Sequence, residues 1–446
     1  MTASSPAPSR GRRRAGDTGS GPVEYIAVAC LLAVITAGII SSGIGSAVGG
    51  GIESAVCKVA GGECERNDPG ASRGTVTGGP NEVERPPTDE EWGDRSTDPF
   101  KAPPPPTEKE VERGEDAAGK IRDYLDDDSA WYEFWTWGSD GPEHPRDVLA
   151  GMSPGELNAL FDRLTDDEIR RLLDVDDVVD ILKLRADPYL LQRLEDIAPR
   201  SIEPDFTDVR NDGKKPGDPA TDYAYLQDAK LFGASGEPTL FDIGQGSLGD
   251  CWWMASMGAM TQTPEGRELI KKMITENPNG TYTVRFADGR TVTVTPFYPV
   301  KKDGAIAYAK PNRPPLVWPL VLEKALAERM GGYGDLVGDL GFNGMPLITG
   351  RPSAAHATGG ISRSDLEGWR ADGAVTVSTL DADDAAGEAA YGGDVPRLIA
   401  GHEYVLQGFT SDGKVRLYNP WGNRHVTVTM DELNTLFRRV DTNPIP

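Results

Sequence analysis

The stretch Gln245-Gly-Ser-Leu-Gly-Asp-Cys251-Trp-Trp253 constrains this chain more than any other. A Gly-rich turn leads into Cys251, and the run from Trp252 to Met257 is compatible with a helix that begins at the cysteine. The free N–H groups and dipole of a helix start favour a thiolate, so Cys251 is a candidate nucleophile. Gln245, just upstream, offers a side-chain amide to the oxyanion formed when a thiolate attacks a carbonyl. Downstream stand Gly401-His402-Glu403-Tyr404 and Tyr418-Asn419-Pro420-Trp421-Gly422, which supply a candidate base and a group to orient it.

Cysteine, histidine and asparagine in that order form the triad of papain-like proteases, and the Cys251–His402 separation is close to the roughly 130–150 residues typical of that fold. The blocks quoted above resemble the calpain family of cysteine proteases more closely than papain. A fourth block, Trp318-Pro-Leu-Val-Leu-Glu323-Lys324-Ala325 through Gly332-Tyr333, is similar to a helix of the same family. The resemblance covers about residues 236–440. It implies an α+β, two-lobed papain-like fold with a helical lobe and an antiparallel β lobe. It also implies peptide-bond hydrolysis, with Cys251 as nucleophile, His402 as base, Asn419 orienting the imidazole and Gln245 at the oxyanion. Two departures stand out. The chain continues Asn423-Arg-His425 where the family has a further Trp-Gly-x-Trp segment, and no calcium-binding module is recognisable. Calcium is therefore the one candidate cofactor, and only on the strength of the resemblance; the expected activity is calcium-independent or weakly calcium-dependent. Two other functions fit the residues. One is a different papain-like acyl transfer. The other is a pilin-like or surface-display protein whose protease-like domain is degenerate and serves binding.

Composition narrows the partners. The 446 residues hold 46 Lys+Arg against 70 Asp+Glu, a formal charge of −24, which repels nucleic acid and anionic lipid. A protein or peptide substrate is the expected partner. Of the four cysteines, Cys30 lies in an apolar run, while Cys57 and Cys64 bracket a short loop and are placed to pair in an oxidising compartment. Cys251 is then the lone thiol of the remainder. The four histidines, His144, His356, His402 and His425, are too dispersed in sequence to suggest a metal site.

The chain divides into a targeting segment with a short Cys loop (1–66), a disordered Pro-rich linker (67–120), a helical region that is a possible pro-segment (121–217), and the catalytic region (218–446). Arg10, Arg12, Arg13 and Arg14 precede an uncharged apolar run over about 25–48, long enough to cross a bilayer. A plain membrane anchor, pilin-like cleavage after Gly19 with Glu24 following, and a cleaved secretory signal all fit this pattern. In 121–200, Ser153-Pro154-Gly-Glu156 and Thr165-Asp-Asp-Glu168 are capping boxes that open helices. The aromatic run Trp131 to Trp137 either fills that region's core or docks in the cleft. In the catalytic region a hairpin is expected around Asp288-Gly289 and a second around Asp412-Gly413. A tight turn at the second places Asn419 opposite Leu406, so a bulge, twist or side-chain reach is needed to bring it to His402.

The arginines and apolar run predict one span with the catalytic region outside the cytoplasm. Protease added to intact cells should digest a C-terminal epitope; full protection of that epitope on an intact, membrane-bound chain would refute this topology.

Overall fold

The computed structural model describes residues 102–126, 142–207, 209, 220–226, 229–310, 316–381 and 398–446. The apolar run, Cys57, Cys64 and the aromatic residues 131–137 lie outside these. Among the described residues no helix is long and apolar enough to cross a membrane.

The helical region begins earlier than expected. A helix at Glu108–Leu125 occupies the end of the span read as linker, opened by a capping box between Thr107 and Glu110. Its buried positions are small or single residues, Gly114, Ala117, Ala118 and Ile121, set among charges. That pattern gives little hydropathy signal, yet it lets the helix lie close against Pro154–Phe161. Gly114 is the point of closest approach: a Cβ there would sit 2.7 Å from the Leu160 nitrogen. The two expected capping boxes are present, with Ser153 and Glu156 opening Pro154–Phe161 and Thr165 and Glu168 opening Asp166–Leu173. Further helices at Pro145–Ala150, Val178–Arg185, Pro188–Ile197 and Pro199–Ile202 complete the region. Ile121, Leu157, Leu160, Phe161, Leu172, Leu190 and Leu194 form its own closed core.

This region is bolted to the lobe that carries Cys251. Asn279, in the loop leading into β3 (Tyr282–Arg285), donates through Nδ2 to the carbonyls of Lys183 and Ala186, both at 2.9 Å, and so completes the end of the Val178–Arg185 helix. Lys183 pairs with Glu328 at 2.9 Å. Glu203 pairs with Lys324, and both side chains are fully buried. Lys324 also donates to Thr295 Oγ1 (2.8 Å) and Phe297 O (2.6 Å), so all its protons are placed. Such an attachment suits a permanent support for the Trp318–Met330 helix.

The catalytic region has two cores. Trp318–Met330 is buried nearly all round, as expected of a helix at the centre of a core; it packs against Cys251–Met260, on which Pro264–Met273 and Gly341–Thr349 pack in turn. On its flanks lie an antiparallel sheet of β2 (Ile274–Glu276), β3 and β4 (Thr291–Val294), and a pair formed by β1 (Asp222–Tyr225) and β5 (Phe297–Val300). The expected turn at Asp288-Gly289 joins β3 to β4, with Gly289 at φ 88°.

The second core lies on a six-stranded antiparallel sheet, in the order β10-β9-β8-β7-β11-β6. Its strands are β6 (Ala354–Ala357), β7 (Gly373–Thr379), β8 (Glu403–Phe409), β9 (Val415–Tyr418), β10 (Val426–Val428) and β11 (Phe437–Pro444). Period-two alternation gives the sheet two apolar faces. Tyr404, Leu406 and Leu417 pack into the sheet's own core, while Val405 and Tyr418 turn the other way and join the helical lobe.

Glu195, beside Glu203 and Lys324, is pushed up to about 9, first by burial and then by the Glu203 carboxylate. It holds a proton in the folded chain that it loses in the unfolded chain across about pH 5–9. More protons bound in the folded state means that stability falls as pH rises through that window. Urea unfolding at a series of pH values should show this slope, and Glu195→Gln should remove part of it; an unaltered slope would place the proton elsewhere.

Candidate active site

The turn before Cys251 is clamped from both sides. Ser247 N–H donates to Ala307 O (2.9 Å) and Lys310 N–H to Gly244 O (2.7 Å), tying it to the helical lobe. Gln245 N–H donates to Pro420 O at 2.7 Å, tying it to the residue after Asn419. Gly246 is required by proximity: a Cβ there would lie 2.0 Å from Tyr308 O and 2.4 Å from Ala307 O. The helix Cys251–Met260 then starts at the cysteine as expected.

Cys251 is a half-buried free thiol, and no other cysteine occurs among the described residues. Burial pushes it up to about 12, helped by the Glu403 carboxylate, while a backbone hydrogen bond from Glu403 acts in the opposite direction. Burial thus opposes the helix-start effect expected from sequence and favours the protonated thiol. Asp250, directly before it, is fully buried and raised to about 7 by burial; it faces Glu323, which is raised further by burial and by Asp250. Glu323 is held by the N–H of Ala309 at 2.9 and 3.0 Å. Two buried carboxyls in contact cannot both ionise cheaply, so the pair holds a proton between them.

His402 follows Gly401, whose φ of 58° suits glycine. Its N–H donates to Thr379 Oγ1 (2.9 Å) and its carbonyl accepts from Thr379 N–H (2.9 Å), which fixes the backbone against β7. The residue is 6% exposed, with Trp421 at 5.2 Å and Tyr404 edge-on at 5.1 Å between ring centroids. Nε2 lies 2.9 Å from Asn419 Oδ1. That oxygen also accepts the Trp421 N–H at 2.9 Å, a bond the amide nitrogen could not make. Asn419 is therefore oriented by the backbone, Nε2 must be the donor, and the lone pair of the neutral ring sits on Nδ1. Asn419 is itself fully buried, and its own N–H donates to His425 Nδ1 at 3.2 Å. His425 stacks on Tyr418 at 4.1 Å, and burial lowers its basicity, keeping it neutral as an acceptor.

The gap anticipated between Asn419 and His402 is closed by register. A three-residue turn at 411–413 and a bulge at Gln407 shift the ladder, so that Leu406 faces Leu417 and Val405 faces Tyr418. Asn419 therefore continues the ladder toward Tyr404, two places nearer His402 than a tight turn would allow.

Gln245 is buried beside the turn, and its Nε2 donates to Leu248 O at 2.7 Å. One of its two amide protons is thus spent within the turn. The structure joins His402 to Asn419, ties the Gln245 backbone to Pro420, and bonds the backbone of Glu403, next to His402, to Cys251. Three participants escaped the sequence reading: Thr379 and Glu403, whose contacts join segments more than twenty residues apart, and the Trp421 N–H, whose bond to Asn419 is local but is set by backbone geometry. Only Glu403 left a trace, as the variable position of the Gly-His-x-Tyr block.

A half-buried cysteine at a helix start, with a hydrogen-bonded His–Asn pair at the end of the neighbouring sheet, is the arrangement expected of a cysteine-type peptidase domain. Comparison with known proteins agrees: residues 223–440 match the calpain family cysteine protease model, so the chain carries a domain of that family. The calpain-type cysteine protease DEK1 of Zea mays is 30% identical over 233 residues, 48% of this chain and 10% of that protein. The calpain-1 catalytic subunit of Gallus gallus is 28% identical over 210 residues, 42% of this chain and 28% of that protein. The chain thus spans a minor part of these relatives, about a tenth and just over a quarter of their lengths.

Gly246→Ala should drive the turn off its clamp and destabilise the fold by about 1–3 kcal/mol, the usual cost of overpacking. Urea unfolding of the variant measures this; wild-type stability would mean that the turn yields.

Proposed function

We propose that the chain is a calpain-like cysteine endopeptidase acting through Cys251, His402 and Asn419. The observation that carries this is the Asn419-oriented His402 ring, with Nε2 committed at 2.9 Å and Nδ1 carrying the lone pair, in a chain whose Cys251 opens a helix and takes a backbone hydrogen bond from the residue after His402. When a peptide carbonyl arrives, His402 Nδ1 takes the proton from Cys251 and sulfur attacks the carbonyl carbon. The Cys251 N–H and the second amide proton of Gln245 receive the oxyanion. His402 then protonates the leaving amine, and water, deprotonated by His402, hydrolyses the thioester. Trp421, tilted against the His402 ring at 5.2 Å between centroids, keeps water from competing for the His402–Asn419 bond.

Calcium is the cofactor the family suggests. Among the described residues no group of three or more His, Cys, Asp or Glu side chains is placed to hold a metal ion, and every step above runs through the chain's own groups. The arginines and apolar run near the N-terminus support a membrane-held enzyme with its catalytic domain outside the cytoplasm.

Cleavage of a denatured protein by the purified chain, with and without chelator, tests the reading. Cys251→Ala should abolish turnover and His402→Ala nearly so. Gln245→Ala should lower kcat about 10²–10³-fold with little change in KM, as loss of one oxyanion donor does. Asn419→Ala should cost less. Wild-type turnover by Cys251→Ala would sink the assignment, leaving a different acyl transfer or a binding role.

A further inference from the structure

Both members of the proposed catalytic pair are chain neighbours of a buried carboxyl. Asp250 precedes Cys251 and shares its proton with Glu323, so its charge is already managed. Glu403, after His402, is placed differently. It is 2% exposed at the first position of β8. Its Oε2 accepts the Ser378 hydroxyl of β7. Its Oε1 is buried without a hydrogen-bond partner. That oxygen lies against Gly341 at the start of the Gly341–Thr349 helix: a Cβ on Gly341 would meet Glu403 Oε1 at 2.8 Å and Thr376 Oγ1 at 2.3 Å. The same helix start rests on the Cys251 helix, where Ser256 Oγ lies 3.5 Å from Gly341 O. The Glu403 carboxyl is thus wedged between β7 and the start of the Gly341–Thr349 helix, while its backbone N–H bonds to Cys251.

The charges around it do not neutralise it. From β11, Arg439 is engaged by Asp441 through Nε at 2.7 Å, and Asp441 also accepts the Phe342 N–H at 3.2 Å. β7 offers only the hydroxyls of Thr376 and Ser378. The Cys251 helix offers Cys251 with the Asp250–Glu323 pair behind it, and β8's own entry offers His402. No cation touches the carboxyl among these groups.

We propose that Glu403 is a positioning residue whose protonation state decides how readily Cys251 ionises. This rests on Cys251 being the nucleophile, as proposed above. With Glu403 neutral, the developing thiolate keeps the Glu403 backbone N–H as a partner and meets no further charge from that side chain; with Glu403 ionised, a second buried negative charge opposes it. Burial raises Glu403 to about 7, so the exchange between the two states falls within the physiological range. The step is a proton equilibrium with solvent and needs no further reactant.

The test is alkylation of Cys251 by iodoacetamide in the full chain as a function of pH, read on the Cys251 peptide by mass spectrometry so that the other cysteines do not interfere. Glu403→Gln keeps the shape and removes the charge, and should move the alkylation midpoint to lower pH by about one unit, the scale of a close like-charge effect. Ser378→Ala weakens the ionised carboxyl and should move the midpoint the same way by less. Glu403→Gln alkylating along the wild-type profile would overturn the inference; if that variant does not fold, an unmoved profile in Ser378→Ala overturns it instead. Cleavage of a denatured protein separates the two ideas. Its absence in the wild type refutes the peptidase reading, whereas cleavage with superimposable alkylation profiles refutes the role of Glu403 alone.

Discussion

The backbone bond from Gln245 N–H to Pro420 O, 2.7 Å long, is the contact on which the site depends. It joins the turn that presents Cys251 to the segment that presents Asn419, two pieces of chain carried on different cores. Side-chain geometry at the site is downstream of it. Asn419 Oδ1 is aimed by the Trp421 N–H one residue past Pro420, and that aim decides which nitrogen of His402 carries the proton. A side-chain clamp would sample rotamers; a clamp made of backbone groups has none to sample. The glycine at 246 belongs to the same logic, since it lets two backbones meet where a side chain would hold them apart.

Electrostatics at the centre are those of a dry compartment with little positive charge. Asp250, Glu323 and Glu403 are all buried near Cys251, and each is raised by burial. Ionised groups are expensive there, so protons are shared or retained and the thiol stays neutral at rest. A mechanism in which His402 removes the proton during attack is better matched to this environment than one starting from a stored thiolate.

The helical region contributes through support. Lys324 is a buried cation in the central helix of the lobe, and part of its counter-charge, Glu203, comes from the end of that region. A buried pair of this kind is poor evidence of net stability, but each partner makes the other necessary. The region read as a possible pro-segment is thus attached through the Trp318 helix and the hairpin of β3 and β4, with Asn279 capping one of its helices.

Much of this was legible in the residues alone. Capping boxes at Ser153 and Thr165, the turn at Asp288-Gly289, and the helix beginning at Cys251 depend on neighbours a few positions apart, so local chemistry was enough to place them. The helix at Glu108–Leu125 was missed because its packing face is made of glycine and alanine, whose value lies in close approach and not in hydropathy. The types and order of Cys251, His402, Asn419 and Gln245 were likewise determined by sequence. Tertiary structure decided the rest: the shift in register that carries Asn419 toward His402, the tautomer that Trp421 imposes, the burial that leaves Glu403 charged or neutral, and the docking of Glu203 on Lys324. The register and the docking are contacts between segments far apart in the chain, the tautomer needs His402 brought to Asn419, and the burial needs the lobes packed; all depend on distances and a dielectric that exist only once the two cores have closed on one another.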